Sequence, residues 1–98
     1  MSQAEKVILV IDDDPSLREL MEMLLLCQGY AVHLTNNGND AMEKVKQHRY
    51  DLIILDLMMP VMDGLEFLTW LRQSEQSTIP VTILTAVNQH DMQQQLLT

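Results

Sequence analysis

The chain has 98 residues, 47% of them hydrophobic, enough for one small folded domain, which excludes a disordered segment. It carries 14 acidic against 6 basic residues, a formal net charge of -8. That balance excludes the clustered Lys and Arg that displace counterions from nucleic-acid phosphates, and it disfavours an anionic membrane surface as partner.

Val7–Ile11 is an unbroken aliphatic run, the pattern of a strand covered on both faces. It stops at Asp12-Asp13-Asp14 before Pro15, and Asp14 as N-cap with Pro15 at the first helical position predicts a helix start. Leu17, Leu20, Met21 and Leu24 recur at helical spacing up to Gly29, the expected residue just past the helix end. A second strand is predicted over Ala31–Thr35, closed by Asn36-Asn37-Gly38. Ala41, Met42 and Val45 mark one face of a second helix that fades near His48-Arg49.

Asp51–Asp56 repeats the first design, an aliphatic run ending in a carboxylate. Leu57–Gly64 is a loop punctuated by Pro60 and Asp63-Gly64, followed by a third helix with Leu65, Leu68 and Leu71 on one face. Pro80 introduces a fourth strand, Val81–Thr85, and Asn88–Thr98 continues in helical register. Strands alternating with helices point to a doubly wound parallel α/β sheet in a single domain, residues 1–98, with right-handed crossovers. One cysteine, Cys27, permits no intrachain disulfide. No apolar run approaches the roughly 20 residues of a transmembrane helix, and Met1–Lys6 has no signal-peptide pattern. A cytoplasmic location is the expectation.

Ligands of parallel α/β sheets gather at the carboxyl ends of the strands. Here the first strand ends in Asp12 and Asp13, the third in Asp56 and the fourth in Thr85. With the first and third strands adjacent, three carboxylates meet at one sheet edge. Such crowding raises their pKa values or calls for a cation, and a hard, oxygen-preferring, partly hydrated ion such as Mg²⁺ suits it.

Asp12-Asp13, Asp56, Met59-Pro60-x-Met62-Asp63-Gly64 and Thr85-Ala86, in this order at these strand ends, resemble the receiver domain of two-component response regulators. The resemblance runs from Val7 to about Leu97 and implies a flavodoxin-like fold of the chemotaxis-regulator kind, with strand order 2-1-3-4(-5). It implies that Asp56 is the phospho-acceptor, loaded from a phosphohistidine on a sensor histidine kinase or phosphotransfer protein. It further implies Mg²⁺ on Asp12, Asp13, Asp56 and the backbone carbonyl of Met58, and Thr85 as the switch hydroxyl beside the small Ala86. The family's lysine, fifth strand and last helix are not found up to Thr98. A fragment, completion by chain exchange or a homodimer, and a truncated regulator are the three explanations for that departure. Nucleic-acid binding by this segment is not expected.

Plainer readings stand beside these. Asp12–Asp14 could be only an acidic helix cap, and Asp63-Gly64 only turn chemistry. Cys27 reads as a small packed thiol, and His33, His48 and His90 as scattered surface residues. Most methionines read as packing, and Trp70 as packing more than as a partner anchor. Two other functions compete. One is a pseudo-receiver scaffold that takes no phosphoryl group. The other is a phosphohydrolase of the haloacid-dehalogenase kind using Asp12, which Ser16 inside a capped helix and the short chain disfavour.

Overall fold

The computed structural model describes residues 5–56, 63–74 and 78–84. The elements follow the predicted alternation: β1 (Val7–Ile11), α1 (Pro15–Cys27), β2 (Ala31–Thr35), α2 (Gly38–Gln47), β3 (Leu52–Asp56), α3 (Asp63–Arg72) and β4 (Val81–Leu84). The strands form one parallel sheet in the order β2-β1-β3-β4. The expected Thr85, Ala86, the loop through Met62 and the helix over 88–98 lie outside the described residues.

Strand alternation decides which helix each residue meets. Leu9, Ile11, Ile53 and Leu55 pack with Ala41 and Val45 of α2 and with Phe67 and Leu71 of α3. Ile8, Val10 and Ile54 turn to the other face, against Met21 and Leu25 of α1. Both faces of β1 and β3 are therefore covered, which explains why their sequences show no polar alternation. Full burial of each such aliphatic side chain contributes about 1.5–3 kcal/mol.

Local chemistry sets the ends of α1 as expected, and Asn37, read from the sequence as a turn residue, also caps α2. Asp14 Oδ1 accepts from the Ser16 and Leu17 amides at 2.9 and 3.5 Å. Asn37 Oδ1 caps α2 by accepting from Asp40 N at 2.7 Å. After the C-cap Gln28, Gly29 adopts φ +92°, the left-handed conformation that ends α1.

Three expectations need correction. The sheet-facing stripe of α1 is Met21 and Leu25, whereas Leu20, Leu24 and Met23 are 46%, 51% and 56% exposed. They occupy helical positions turned away from the sheet, where no described element faces them. Cys27 is exposed rather than packed, because it shares that outer side of the last turn. His33 is half-buried rather than superficial: its Nδ1 lies 2.7 Å from the Tyr50 hydroxyl, and its ring meets that of His48 edge-on at 4.8 Å. His90 lies outside the described residues. Trp70 packs as expected, partly buried against the core with its ring 6.0 Å from that of Phe67.

Candidate metal centre

Register delivers the acidic residues to one place. β1 and β3 pair Ile8 with Leu52 and Ile11 with Leu55, so the next step along both strands sets Asp12 opposite Asp56. The two have the same parity, and their side chains emerge on the same side of the sheet. Asp13 follows at the bend into α1. One carboxylate oxygen from each of Asp12, Asp13 and Asp56 lies within 4.8 Å of the others. Asp12 and Asp56 are buried, 2% and 6% exposed, while Asp13 is exposed to solvent.

Asp12 is held at almost every polar atom. Its N–H donates to the Thr35 carbonyl at 3.1 Å. Its carbonyl accepts from Arg18 Nη1 at 2.6 Å, and its Oδ1 accepts from Asp14 N at 2.9 Å. Oδ2 alone is buried without a hydrogen-bond partner. Burial raises the pKa of Asp12 above the usual carboxylate value. The Asp14 amide opposes that rise, and the neighbouring Asp56 and Asp13 charges add to it. An ionised Asp12 therefore lacks a positive counterpart at Oδ2, whereas a protonated carboxyl could share its proton with Asp56. A buried, orphaned oxygen on one of three clustered carboxylates fits a hard divalent cation, which turns mutual repulsion into common coordination.

Of the sequence-predicted site residues, Asp12, Asp13 and Asp56 are brought together. Thr85 and the Met58 carbonyl lie outside the described residues. Arg18 was not anticipated. Its signal was weak: a basic residue in the first turn of α1, where the macrodipole favours acids. The His33–His48–Tyr50 ring cluster was likewise missed, since His33 stands far from His48 and Tyr50 in sequence and the three match no metal-ligand spacing. It sits on β2 and the α2–β3 connection, among residues distinct from the acidic cluster.

Residues 8–98 match the family model of the response regulator receiver domain. Over 79 residues the chain is 44% identical to the response regulator MprA of Mycobacterium leprae, covering 81% of this chain and 34% of that protein. It is 43% identical over 82 residues to the transcriptional regulatory protein ResD of Bacillus subtilis, covering 84% and 33%. The chain thus spans about a third of the length of these curated relatives. Among solved structures, the chemotaxis protein CheY4 of Vibrio cholerae superposes with a TM-score of 0.81 at 34% identity, covering 93% of this chain and 77% of that one.

Proposed function

The chain belongs to the response regulator receiver domain family, and from that membership we propose that Asp56 is its phospho-acceptor, loaded beside a Mg²⁺ ion. The donor in this reading is a phosphohistidine on a sensor histidine kinase or phosphotransfer protein. Residues 1–98 act as one receiver domain, and its phosphorylated state controls an output. The observation that carries the proposal is the convergence of the Asp12, Asp13 and Asp56 carboxylates within 4.8 Å, together with the orphaned Asp12 Oδ2.

The ionised Asp56 carboxylate attacks phosphorus. Its O–P bond forms as the N–P bond of the phosphohistidine breaks, and the departing imidazole nitrogen keeps the electron pair and takes up a proton. Water later cleaves the acyl phosphate and restores Asp56. Asp12, Asp13, Asp56 and the Met58 carbonyl would hold the ion, which supplies neutralisation of the carboxylates and of the incoming phosphoryl oxygens. Without that neutralisation, an anionic group would meet three carboxylates. Asp12 stays oriented by Asp14 N and Arg18, so its part is positioning and charge balance, as in phosphoryl transfer generally. Thr85 supplies the hydroxyl that binds the new phosphoryl oxygens and biases a two-state equilibrium. The protein in this reading is a switch and not a turnover catalyst of small esters.

Incubation with acetyl phosphate, read by intact mass, tests the proposal. Wild type gains one phosphoryl group in Mg²⁺ and none in EDTA, and Asp56→Ala gains none. A folded Asp56→Ala protein that labels fully would overturn the assignment. Failure of wild type to bind Mg²⁺ would favour the scaffold reading, and multiple turnover dependent on Asp12 the phosphohydrolase.

A further inference from the structure

Arg18 is half-buried in the second half of the first turn of α1, and it is a cation a few residues from an acidic cluster. It nonetheless donates its 2.6 Å hydrogen bond to a neutral acceptor, the Asp12 carbonyl. Among the described residues it forms no ion pair. That choice has a chemical consequence. A guanidinium clamped on a carboxylate occupies the oxygens a metal needs and competes with it. On the Asp12 carbonyl it takes up none of the carboxylate oxygens and still immobilises the backbone that carries Asp12 and Asp13.

The Asp12 carbonyl and the Asp13 N–H belong to one planar peptide unit. Fixing that carbonyl therefore fixes the point from which both the Asp12 and Asp13 side chains depart. The same strand end is tied on its other side by Asp12 N donating to the Thr35 carbonyl at 3.1 Å. Asp14 N holds Oδ1, so Oδ2 is the one polar atom of Asp12 left to face the cluster.

We propose that Arg18 is a positioning residue for the cation site: its guanidinium locks the Asp12–Asp13 peptide so that two carboxylates present to one Mg²⁺ ion. The inference rests on the Mg²⁺ reading above. It makes a prediction opposite to that of simple electrostatics. Removing a positive charge near a cation site should strengthen Mg²⁺ binding if Arg18 acts only through its field. Removing a clamp should weaken it, and loss of such outer-shell support typically costs about 10–100-fold in metal affinity.

The test is Mg²⁺ titration by calorimetry of the full chain, with thermal unfolding of each apo protein measured alongside. Arg18→Met is expected to bind Mg²⁺ about 10-fold or more weakly than wild type. Arg18→Lys, which keeps a donor of similar reach, should recover most of that loss. Equal or tighter binding by a folded Arg18→Met protein would overturn the inference, as would Lys behaving no better than Met. If Arg18→Met does not fold, the Arg18→Lys and Arg18→Gln pair carries the same comparison, with Gln the weaker binder. Asp13→Asn is the reference: if wild type and Asp13→Asn bind Mg²⁺ equally, the cation site itself is wrong. If Asp13→Asn loses binding while the Arg18 variants do not, only the role of Arg18 is wrong.

Discussion

Replacing Asp12 by Asn should make the metal-free protein more stable while removing its response to Mg²⁺. The amide is isosteric: its oxygen keeps the bond from Asp14 N, and its NH₂ replaces the orphaned Oδ2 with a donor facing Asp56. At 4.8 Å, the outer limit of their separation, two like charges repel by about 3.5 kcal/mol at an effective dielectric of ~20, and by about 0.9 kcal/mol in bulk water. Asp12 and Asp56 are buried, so the relief lies between these limits, about 1–3 kcal/mol. For a domain of this size each kcal/mol moves Tm by about 4–8 °C. Thermal and urea unfolding in EDTA and in Mg²⁺ measure both halves of the expectation. Wild type gains about 1.4 kcal/mol at ten times its Kd, and Asp12→Asn gains nothing. The pH dependence has a definite sign. Because burial raises Asp12 above its ordinary 3.8, the folded apo protein binds that proton more tightly than the unfolded chain. Apo stability therefore declines as pH rises from 3.8 through the raised value, a decline Asp12→Asn should lack. An Asp12→Asn protein that is less stable in EDTA and still stabilised by Mg²⁺ would refute the reasoning.

His33 runs the other way. Burial, with His48 and Lys44 nearby, lowers its pKa below the ordinary 6.5. Its stabilisation is complete above 6.5 and is lost as pH falls from there through the lowered value. His33→Gln should flatten that slope in pH-dependent urea titrations. Phe67, fully buried between the sheet and α3, should cost about 3–5 kcal/mol when truncated to Ala, read from urea midpoints. Gly29→Ala meets no atom within 4 Å, so any loss comes from φ +92° alone. About 1–2 kcal/mol is expected by the same assay.

The acidic site was legible because two aliphatic runs each ended in aspartate. Once their strands pair in parallel, register alone sets Asp12 opposite Asp56. The start of α1 was legible for a similarly local reason: Asp14 satisfies amides two and three residues away. What escaped depends on long-range placement. The six-residue reach of Arg18 to a strand-end carbonyl has no signature in spacing. The meeting of His33 with Tyr50 needs β2 and the α2–β3 connection side by side. The apolar stripe of α1 was broader than the sheet could cover, so periodicity did not separate the buried Met21 and Leu25 from the exposed Leu20 and Leu24. That Cys27 is exposed follows from the same ambiguity.

Reduction of the acyl phosphate with borohydride, followed by peptide sequencing in the mass spectrometer, tests the chemistry most directly. After incubation with acetyl phosphate and Mg²⁺, residue 56 should be converted from aspartate to homoserine, with Asp12 and Asp13 unchanged and EDTA abolishing the conversion. Homoserine at Asp12 or Asp13, or conversion of Asp56 that is indifferent to Mg²⁺, would contradict a cation-assisted acceptor at the end of β3.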